Sequence, residues 1–512
     1  MGIKDYFVED IPRRKFLEMS FKGGIVLAAT PALMSQLVSC KGQAPGTKMD
    51  VDKSLLNETI QKALQKGGEF ADVYVENRIT RSIKMEESKF KSAQFGISQG
   101  AGVRVISGDK TGYAYTDEIT KEKLSRAAEV ASYVAKEGKQ IQPVSISKQE
   151  RKSFVTVKTP LQGIADKKRL EVMKRANQVA LDYDKRIKMA TIDYYDEIRG
   201  RTIANSEGLL VSDELPLLFF IVQTLGVGKN TRHMSRKRLS RHSGFEMFDE
   251  VTPEEVAQGA ARESIAMLDA QDAPAGMMDV IIENGWGGVL VHEAVGHPLE
   301  GDNIAKKIGA FTGKLGKKVA SDVFTMIDDG TLTNKRGTTN FDDEGTQMKR
   351  NVLIKDGVLQ KYMTDILSTK QLNMERTGNG RRQSFRNIPI PRMTNTFIAK
   401  GKEDPEDILA STKKGLYVQS LSGGSVNPIT GMFNFTCREA YLIENGKKTT
   451  PVKGATLTGS CMDIISNTDA VGNDLDFGPG ICGKSGQRAE VTAGQPTVRI
   501  RGINVGGSKA RG

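Results

Sequence analysis

The chain has 512 residues, of which 38% are hydrophobic and 27% charged, so it is globular and long enough for about three domains. Four cysteines exclude a disulfide scaffold, and no apolar run reaches the roughly 18 residues of a membrane span. The net charge is +12, and its densest basic run, residues 229–241, has no zinc-finger, RRM or recognition-helix context. We interpret this run as a solvated face and predict no nucleic-acid partner, with a surface for a polyanion or acidic partner as the alternative.

The first 40 residues have the layout of a cleaved export signal. Arg13-Arg14 precedes a short apolar run at 23–34, which is typical of the twin-arginine type. The sequence Leu-Val-Ser-Cys that ends at Cys40 resembles the lipobox of bacterial lipoproteins, whose cysteine carries the lipid. We therefore predict a periplasmic lipoprotein that contacts the membrane only through a lipid anchor on Cys40. An amphipathic N-terminal helix with a free cysteine is the alternative.

For residues 41–272 we predict a tether at 41–54, followed by an N-terminal α+β domain at 55–272. Apolar residues at helical spacing predict helices, the first ended by Gly67 and the second capped by Thr120. These helices are expected at 55–64, 120–134, 166–183 and 253–268. Strands are expected at 71–76, 82–86, 101–107, 112–116 and within 188–227, with a turn at 205–208 and a linker at 140–158.

The remainder, residues 277–512, consists mostly of strand-like segments and glycine turns. One of these strands is expected at 432–443. The predicted fold class is therefore α+β: an N-terminal mixed α/β region followed by a β-rich C-terminal domain that carries one distorted helix.

That helix contains two of the four histidines, in the motif His292-Glu-Ala-Val-Gly-His297. The zinc-protease pattern H-E-x-x-H places both imidazoles on one helix face with a glutamate base beside them. Here the spacing is five, which on a regular helix leaves the side chains about 140° apart. A π-bulge would correct this divergence, and Gly296 followed by Pro298 suits a distorted last turn.

Two histidines need at least one more ligand to hold a metal ion. His233 and His242 are candidates, but they lie in a basic stretch in which we expect few strands. The cysteines are better candidates for the third ligand. Cys482 stands in a segment that we expect to be a glycine-dense turn, whereas we expect Cys437 to be a buried strand residue. The sequence does not decide whether Cys437 and Cys461 form a disulfide. A His-His-Cys set with an open position is typical of catalytic zinc.

The region around this motif resembles the TldD/PmbA family of zinc metalloproteases, in its TldD branch. The resemblance spans nearly all of residues 55–510 and rests on several segments. These are HEAVGHPLEGD at 292–302, DDEGT at 342–346, TGNGRRQSF at 377–385, PRMTNTFI at 391–398, VGNDL at 471–475, CGKSGQ at 482–487 and GAGVRVISGDKTGYAYT at 100–116.

The resemblance implies specific roles for the matching residues. His292, His297 and Cys482 would bind zinc, and Glu293 would be the catalytic base that activates the water bound to the metal. The chain would hydrolyse small or unfolded peptides as the active subunit of a hetero-oligomer with a PmbA/TldE-like chain. The substrate, the choice between endo- and exopeptidase, and the membrane leaflet are left open.

Two other functions compete with the peptidase. A non-catalytic protein of the same fold would capture peptides by strand addition. A P-loop nucleotide-binding enzyme is the remote alternative, because residues 478–485 match G-x-x-x-x-G-K-S. A P-loop requires a buried strand before it and a helix after it, and neither flank has that pattern.

Three arginines in the matching segments are also candidates for a role. Arg381, Arg382 and Arg392 are expected either to meet a substrate carboxylate or oxyanion, or to form structural ion pairs.

Overall fold

The structure is a computed structural model and describes residues 51–135, 141–427 and 430–507. The export signal predicted at 1–40, its Cys40 anchor and most of the tether lie outside these residues. Within the described ranges no helix is long and apolar enough to cross a membrane.

The first half of the described chain alternates short helices with long strands. The helices are α1 (Lys53–Leu64), α2 (Lys121–Ser132), α3 (Asp166–Asp182), α4 (Met247–Glu250) and α5 (Pro253–Ala266). The strands are β1 (Phe70–Glu86), β2 (Lys89–Ser107), β3 (Lys110–Thr116), β4 (Val144–Lys148), β5 (Ile187–Asn205), β6 (Glu207–Val227) and β7 (Arg232–Arg241).

The four helix predictions are confirmed, and three of these helices begin with a side-chain cap. Asp52 accepts a hydrogen bond from the backbone N–H of Ser54, so α1 begins inside the segment predicted as tether. The Thr120 side chain caps α2 through the backbone N–H of Lys123. A capping box between Thr252 and Glu255 begins α5.

The extent of the strands differs from the expectation in three places. The segments predicted at 71–76 and 82–86 form one continuous strand, β1, because its partners β2 and β5 pair with it along its whole length. The predicted linker at 140–158 contains β4, which pairs in parallel with β6. The basic run at 229–241, expected to hold few strands, forms β7 and pairs with β6 from Leu218 to Val227.

These strands build a seven-stranded sheet in the order β3-β2-β1-β5-β6-β4, with β7 also paired to β6. The sheet has two apolar layers. One joins α1 and α2 to the β1–β2 region, and the other joins α3 and α5 to β5 and β6. Burial of these helix faces, rather than helix propensity alone, holds the helices in place.

The second half is dominated by strands. They are β8 (Gln271–Asp272), β9 (Gly276–Ile282), β10 (Met326–Asp329), β11 (Arg350–Lys355), β12 (Val358–Leu359), β13 (Gly380–Arg381), β14 (Ile390–Pro391), β15 (Asn395–Ile398), β16 (Lys414–Val426), β17 (Met432–Glu444), β18 (Lys447–Lys453), β19 (Thr456–Ser460), β20 (Thr468–Val471), β21 (Asp476–Lys484), β22 (Gln487–Gln495) and β23 (Val498–Gly506). The helices are α6 (Val289–Val291), α7 (Gly301–Ala305), α8 (Ile366–Leu372), α9 (Pro405–Ala410) and α10 (Cys461–Asn467).

Two sheets of this half flank the histidine motif. In one, β16, β9, β23, β19 and β17 pair in succession, and β16 also pairs with β17, which closes the ring. The other runs β12-β11-β10-β15-β22-β21, with β21 at its edge. The predicted α+β class with a β-rich C-terminal half is confirmed, whereas the domain boundaries stay a prediction.

A stack of short helical turns lies between these sheets and carries the motif. It begins with a 3-10 turn at Gly285–Gly288, whose last residue packs so closely on Gly494 of β22 that any Cβ would collide with backbone atoms. The apolar residues of α6 are buried in the largest hydrophobic cluster of the described chain. The motif is thereby fixed against the core on both sides.

Candidate metal centre

The histidine motif forms the distorted helix that its spacing predicts. Residues His292–Gly296 make a π-helical turn, and a 3-10 turn follows at His297–Leu299. A π-turn adds one residue per turn, so side chains five positions apart come to the same side. The ring centroids of His292 and His297 are accordingly 5.5 Å apart.

Cys482 of β21 completes a cluster with these two rings. Ligand-type atoms of His292, His297 and Cys482 all lie within 4.8 Å of one another. The Cys482 Sγ is 3.2 Å from the His297 Nε2. The segment around Cys482 is a strand, not the expected glycine-dense turn, because it pairs with β22 from Asp476 to Lys484. The chain turns only at Ser485 and Gly486, both with positive φ.

The charges of the three side chains favour a thiolate. Burial raises the pKa of the Cys482 thiol, but the adjacent His292 and His297 outweigh burial and lower it to about 4. Burial lowers the pKa of His297, yet Glu300 and Cys482 raise it well above its usual value. The thiolate is the form of cysteine that binds metal ions.

Glu293 lies at the mouth of the cluster. Its Oε2 is 3.5 Å from the Nε2 of His297, and its side chain is 23% exposed, whereas both histidines are buried. It lines a cavity of about 360 Å³ on one side and another of about 580 Å³ on the other. A carboxylate in this position can exchange protons with groups in either cavity.

A second carboxylate, Glu300, orients His297 from behind. Its Oε2 accepts a hydrogen bond from His297 Nδ1 at 2.9 Å and lies 2.9 Å from the Lys484 ammonium. Lys484 also donates to Asp302 at 2.6 Å. Burial raises the pKa of the Glu300 carboxyl, but Lys484 and His297 lower it to about 2, so the group is ionised. The bond to Nδ1 leaves Nε2 of His297 directed at the thiol.

Glu300 and Lys484 are functional candidates that the sequence reasoning missed. The signal for Glu300 was present, because a His-x-x-Glu spacing places both side chains on one helix face. Lys484 falls in the P-loop pattern and in the family segment CGKSGQ, but neither gave it a role at the cluster. That pattern is not a P-loop, since β21 is followed by β22 and not by a helix.

The other candidate ligands lie away from the cluster. His242 is buried and its Nδ1 is 2.7 Å from the carbonyl oxygen of Pro216, while burial lowers its pKa to about 3. His233 lies in β7 and is not part of the cluster. Cys437 lies in β17, as expected, and Cys461 begins α10. Both are free thiols, as is Cys482.

The three arginines singled out from the sequence are structural. Arg392 is buried and donates to the carbonyl oxygen of Cys482 at 2.7 Å, which holds β21 in place. Arg381 donates to the Met393 carbonyl oxygen at 2.6 Å. Arg382 donates to the Asp343 carbonyl oxygen at 3.0 Å.

The DDEGT segment joins the two halves of the described chain. Asp343 accepts from Arg201 of β5 at 2.7 Å, and Glu344 accepts from Arg104 of β2 at 2.7 Å. All four side chains are buried. This segment therefore contributes to the junction and is not part of the His-His-Cys cluster.

Family comparisons agree with the fold and the cluster. The PmbA/TldA metallopeptidase domain 1 matches residues 71–135, the central domain of that family matches 159–268, and its C-terminal domain matches 275–507. The metalloprotease TldD homolog of Haemophilus influenzae is 38% identical over 449 residues, which cover 86% of this chain and 93% of that protein. The zinc metalloprotease TldD homolog of Saccharolobus solfataricus is 27% identical over 451 residues, which cover 88% of this chain and 99% of that protein.

Solved structures share the fold at low sequence identity. TldE from Thermococcus kodakarensis matches with a TM-score of 0.71 and 20% identity, over 88% of this chain and 99% of that one. A protein described as a proposed modulator of DNA gyrase from Bacteroides thetaiotaomicron matches with a TM-score of 0.71 and 20% identity, over 90% and 99% of the two chains. Fold, cluster and domain matches together define a protein of the metallopeptidase class. The chain belongs to the PmbA/TldD metallopeptidase family, as its sequence motifs indicated.

Proposed function

We propose that this chain is a zinc-dependent peptidase that hydrolyses small or unfolded peptides. The observation that supports this most strongly is the position of Glu293, beside the His292–His297–Cys482 cluster and at the shared border of two cavities. A peptide that passes from one cavity to the other would carry its backbone past this carboxylate.

The donor set of the cluster fits zinc. His292 is buried, yet neither of its ring nitrogens has a hydrogen-bond partner, which is rare for a buried polar side chain. A metal ligand role would satisfy one of these nitrogens. Two imidazoles and one thiolate suit zinc better than magnesium or calcium, and three protein ligands leave a position for catalysis.

The side chains around the cluster have different roles in peptide hydrolysis. Zinc, when bound there, supplies Lewis acidity that polarises a carbonyl and favours ionisation of water. Glu293 takes a proton from the attacking water and returns it to the leaving amine. Glu300 keeps the His297 ring in one orientation, and Arg392 holds the backbone of Cys482.

The test is the variant Glu293→Gln in a peptide-cleavage assay with zinc content measured in parallel. We expect cleavage to fall by a factor of about 100 or more, the usual contribution of a general base, while zinc is retained. Glu254→Gln is the matched control, because Glu254 is in α5 and pairs with Arg175. Equal cleavage by the wild type and Glu293→Gln would refute the mechanism and favour a peptide-binding protein without catalysis.

We also propose that the active form is a hetero-oligomer with a PmbA/TldE-like chain. The support is that curated relatives are named TldD while a solved structure of the same fold is named TldE. Co-expression with such a chain, followed by size-exclusion chromatography with light scattering, tests it. Elution of both chains as one species of summed mass is expected, and separate elution at micromolar concentration would contradict it.

Export and lipid anchoring remain a proposal from the sequence alone. The twin arginines and the Leu-Val-Ser-Cys40 segment support it. Cell fractionation should find the wild type in the membrane fraction and a Cys40→Ala variant outside it. Retention of both in the cytoplasm would contradict the proposal.

A further inference from the structure

The cavity of about 360 Å³ beside His292 and Glu293 combines an apolar wall with a cluster of cations. Its wall includes Phe219, Trp286, Ile481 and Val491. Three guanidinium groups line the same space. They belong to Arg236, Arg238 and Arg336.

The positive charge of Arg236 and Arg238 is poorly compensated by the protein. In the described parts of the chain, the side chain of Arg238 has neither a hydrogen bond nor an ion pair, and its guanidinium lies 5.7 Å from the Trp286 ring centroid. Arg236 donates only to the neutral amide oxygen of Gln223, at 2.7 and 3.1 Å. Arg336 is buried and donates to Ser240; its Nε has no partner, but the nearby carboxylates Glu490 and Glu197 partly offset its charge.

Other arginines of this chain show the contrast. Arg104 is buried between Asp72 and Glu344, and Arg262 binds Glu439 with two hydrogen bonds of 2.8 and 2.9 Å. Arg438, a cation outside the cavity whose charge acts on Arg238, has Glu263 at 3.8 Å. Arginines of this protein are thus commonly paired with carboxylates, and Arg236 and Arg238 depart from that rule.

Repulsion among the cations of the cluster affects the pKa of Arg238. Burial and then the neighbouring Arg438, Arg236 and Arg336 lower the pKa of its guanidinium to about 10. The cation persists at neutral pH, but the like charges around it raise its free energy. An anion bound in the cavity would relieve this repulsion and accept hydrogen bonds in the planar geometry that arginine offers.

Among the described residues, Glu293 is the only carboxylate that lines the cavity, and it lies next to His292. Arg236 and Arg238 lie on β7 and Arg336 lies between β10 and β11, whereas Glu293 lies in the π-turn, so the cations and the carboxylate reach the cavity from different elements. A substrate residue that enters the cavity would therefore present its side chain to the arginines while its backbone lies near Glu293.

We propose that this cavity is a specificity subsite for a peptide residue that carries a carboxylate. The inference rests on the proposed peptidase function and adds the substrate class: peptides with Asp, Glu or a free C-terminal carboxylate close to the scissile bond. The apolar wall packs against the methylene groups of that residue, and Arg236, Arg238 and Arg336 bind its carboxylate.

Peptide binding to the zinc-loaded Glu293→Gln protein tests the subsite without turnover. Fluorescence anisotropy would compare labelled pentapeptides that contain Glu or Gln at one position, each with a free or an amidated C-terminus. We expect about tenfold or more tighter binding of a carboxylate peptide, the effect of a charge-assisted hydrogen bond. Comparing Glu with Gln peptides tests a side-chain carboxylate, and comparing free with amidated peptides tests the C-terminal carboxylate. Equal binding by all four peptides would overturn the subsite.

Arg238→Gln and Arg236→Gln, each made in the Glu293→Gln background, assign the effect to the cluster. Each is expected to remove most of the preference for the carboxylate peptide. Arg232→Gln is the matched control, because Arg232 lies on the same strand but outside the cavity. This variant should prefer the carboxylate peptide as strongly as the Glu293→Gln protein does. Arg236 is exposed, so its variant is expected to fold even if loss of Arg238 proves destabilising. A preference that survives both substitutions would overturn the assignment.

The two proposals fail in different ways. If the wild type cleaves none of the peptides while the carboxylate preference in binding persists, the peptidase function fails and the subsite stands. If all peptides are cleaved with equal kcat/KM and bound equally, the subsite fails and the peptidase function stands.

Discussion

The Cys482 Sγ lies 3.2 Å from the His297 Nε2, although 185 positions of sequence separate the two residues. Three local features produce this contact: the π-turn at His292–Gly296, the bond from His297 Nδ1 to Glu300, and the Arg392 bond to the Cys482 carbonyl oxygen. Each feature can be removed separately, so the assembly of the cluster can be tested piece by piece.

Metal content is the first prediction. Elemental mass spectrometry of the protein without its first 40 residues should find about one zinc per chain, because the cluster offers one set of three ligands. Cys482→Ala and His297→Ala should each lose it. Cys437→Ala is the control, since Cys437 is also a buried thiol but lies outside the cluster. Zinc retained by both ligand variants would contradict the site.

The second prediction concerns the orientation of His297. Glu300→Gln should weaken zinc binding by a factor of about 10 to 100, the usual effect of removing a carboxylate that orients a ligating histidine. Competition with a chromogenic chelator measures this affinity. Asp302→Asn is the matched control, because Asp302 also accepts from Lys484 but has no bond to His297. Equal losses in both variants would show that Lys484, not the histidine bond, matters.

The third prediction uses the lowered pKa of Cys482. With its pKa near 4, this thiol is ionised at pH 6, whereas burial raises the pKa of Cys437 to about 12. After zinc is chelated, iodoacetamide at pH 6 should therefore modify Cys482 first, as judged by peptide mapping. Bound zinc should protect it. Preferential modification of Cys437 would contradict the assignment.

The fourth prediction concerns Gly296 in the π-turn. A Cβ at this position would collide with the sulfur of Met393, so Gly296→Ala should destabilise the fold by roughly 1–3 kcal/mol and lower zinc occupancy. Gly163→Ala is the control, because no atom lies within 4 Å of a Cβ built there. Thermal unfolding and metal analysis of both variants check this. Normal zinc occupancy in Gly296→Ala would show that the turn tolerates a side chain.

The fifth prediction is a pH effect from His242. Burial holds its folded-state pKa near 3, below the value of about 6.5 expected in the unfolded chain. The unfolded state therefore binds the additional proton between these values, and His242 contributes stability that is lost as pH falls below 6.5. The thermal midpoint of the wild type should fall more steeply between pH 7 and pH 5 than that of His242→Gln. Parallel curves would contradict this.

Patterns confined to a few neighbouring residues were predicted well from the sequence. The cap at Thr120 and the five-residue histidine spacing depend on local backbone geometry, and the structure has the helix and the π-turn that they indicate. Strand extent was predicted less well. The residues of β7 carry little apolar alternation and β4 has only five residues; both form strands because β6 offers them a partner.

The sequence by itself determined the family, the α+β class and the choice of His292, His297 and Glu293 as candidate site residues. These follow from motifs and short-range spacing. The family resemblance also implied Cys482 as the third ligand, and the tertiary structure brings it to His297. Only the tertiary structure decided that Lys484 contacts Glu300 and that Arg381, Arg382 and Arg392 donate to main-chain carbonyl oxygens. It also decided that Arg236 and Arg238 face a cavity beside Glu293. The reason is physical: these contacts join residues far apart in the chain, and their geometry is set by sheet pairing and burial that no local pattern encodes.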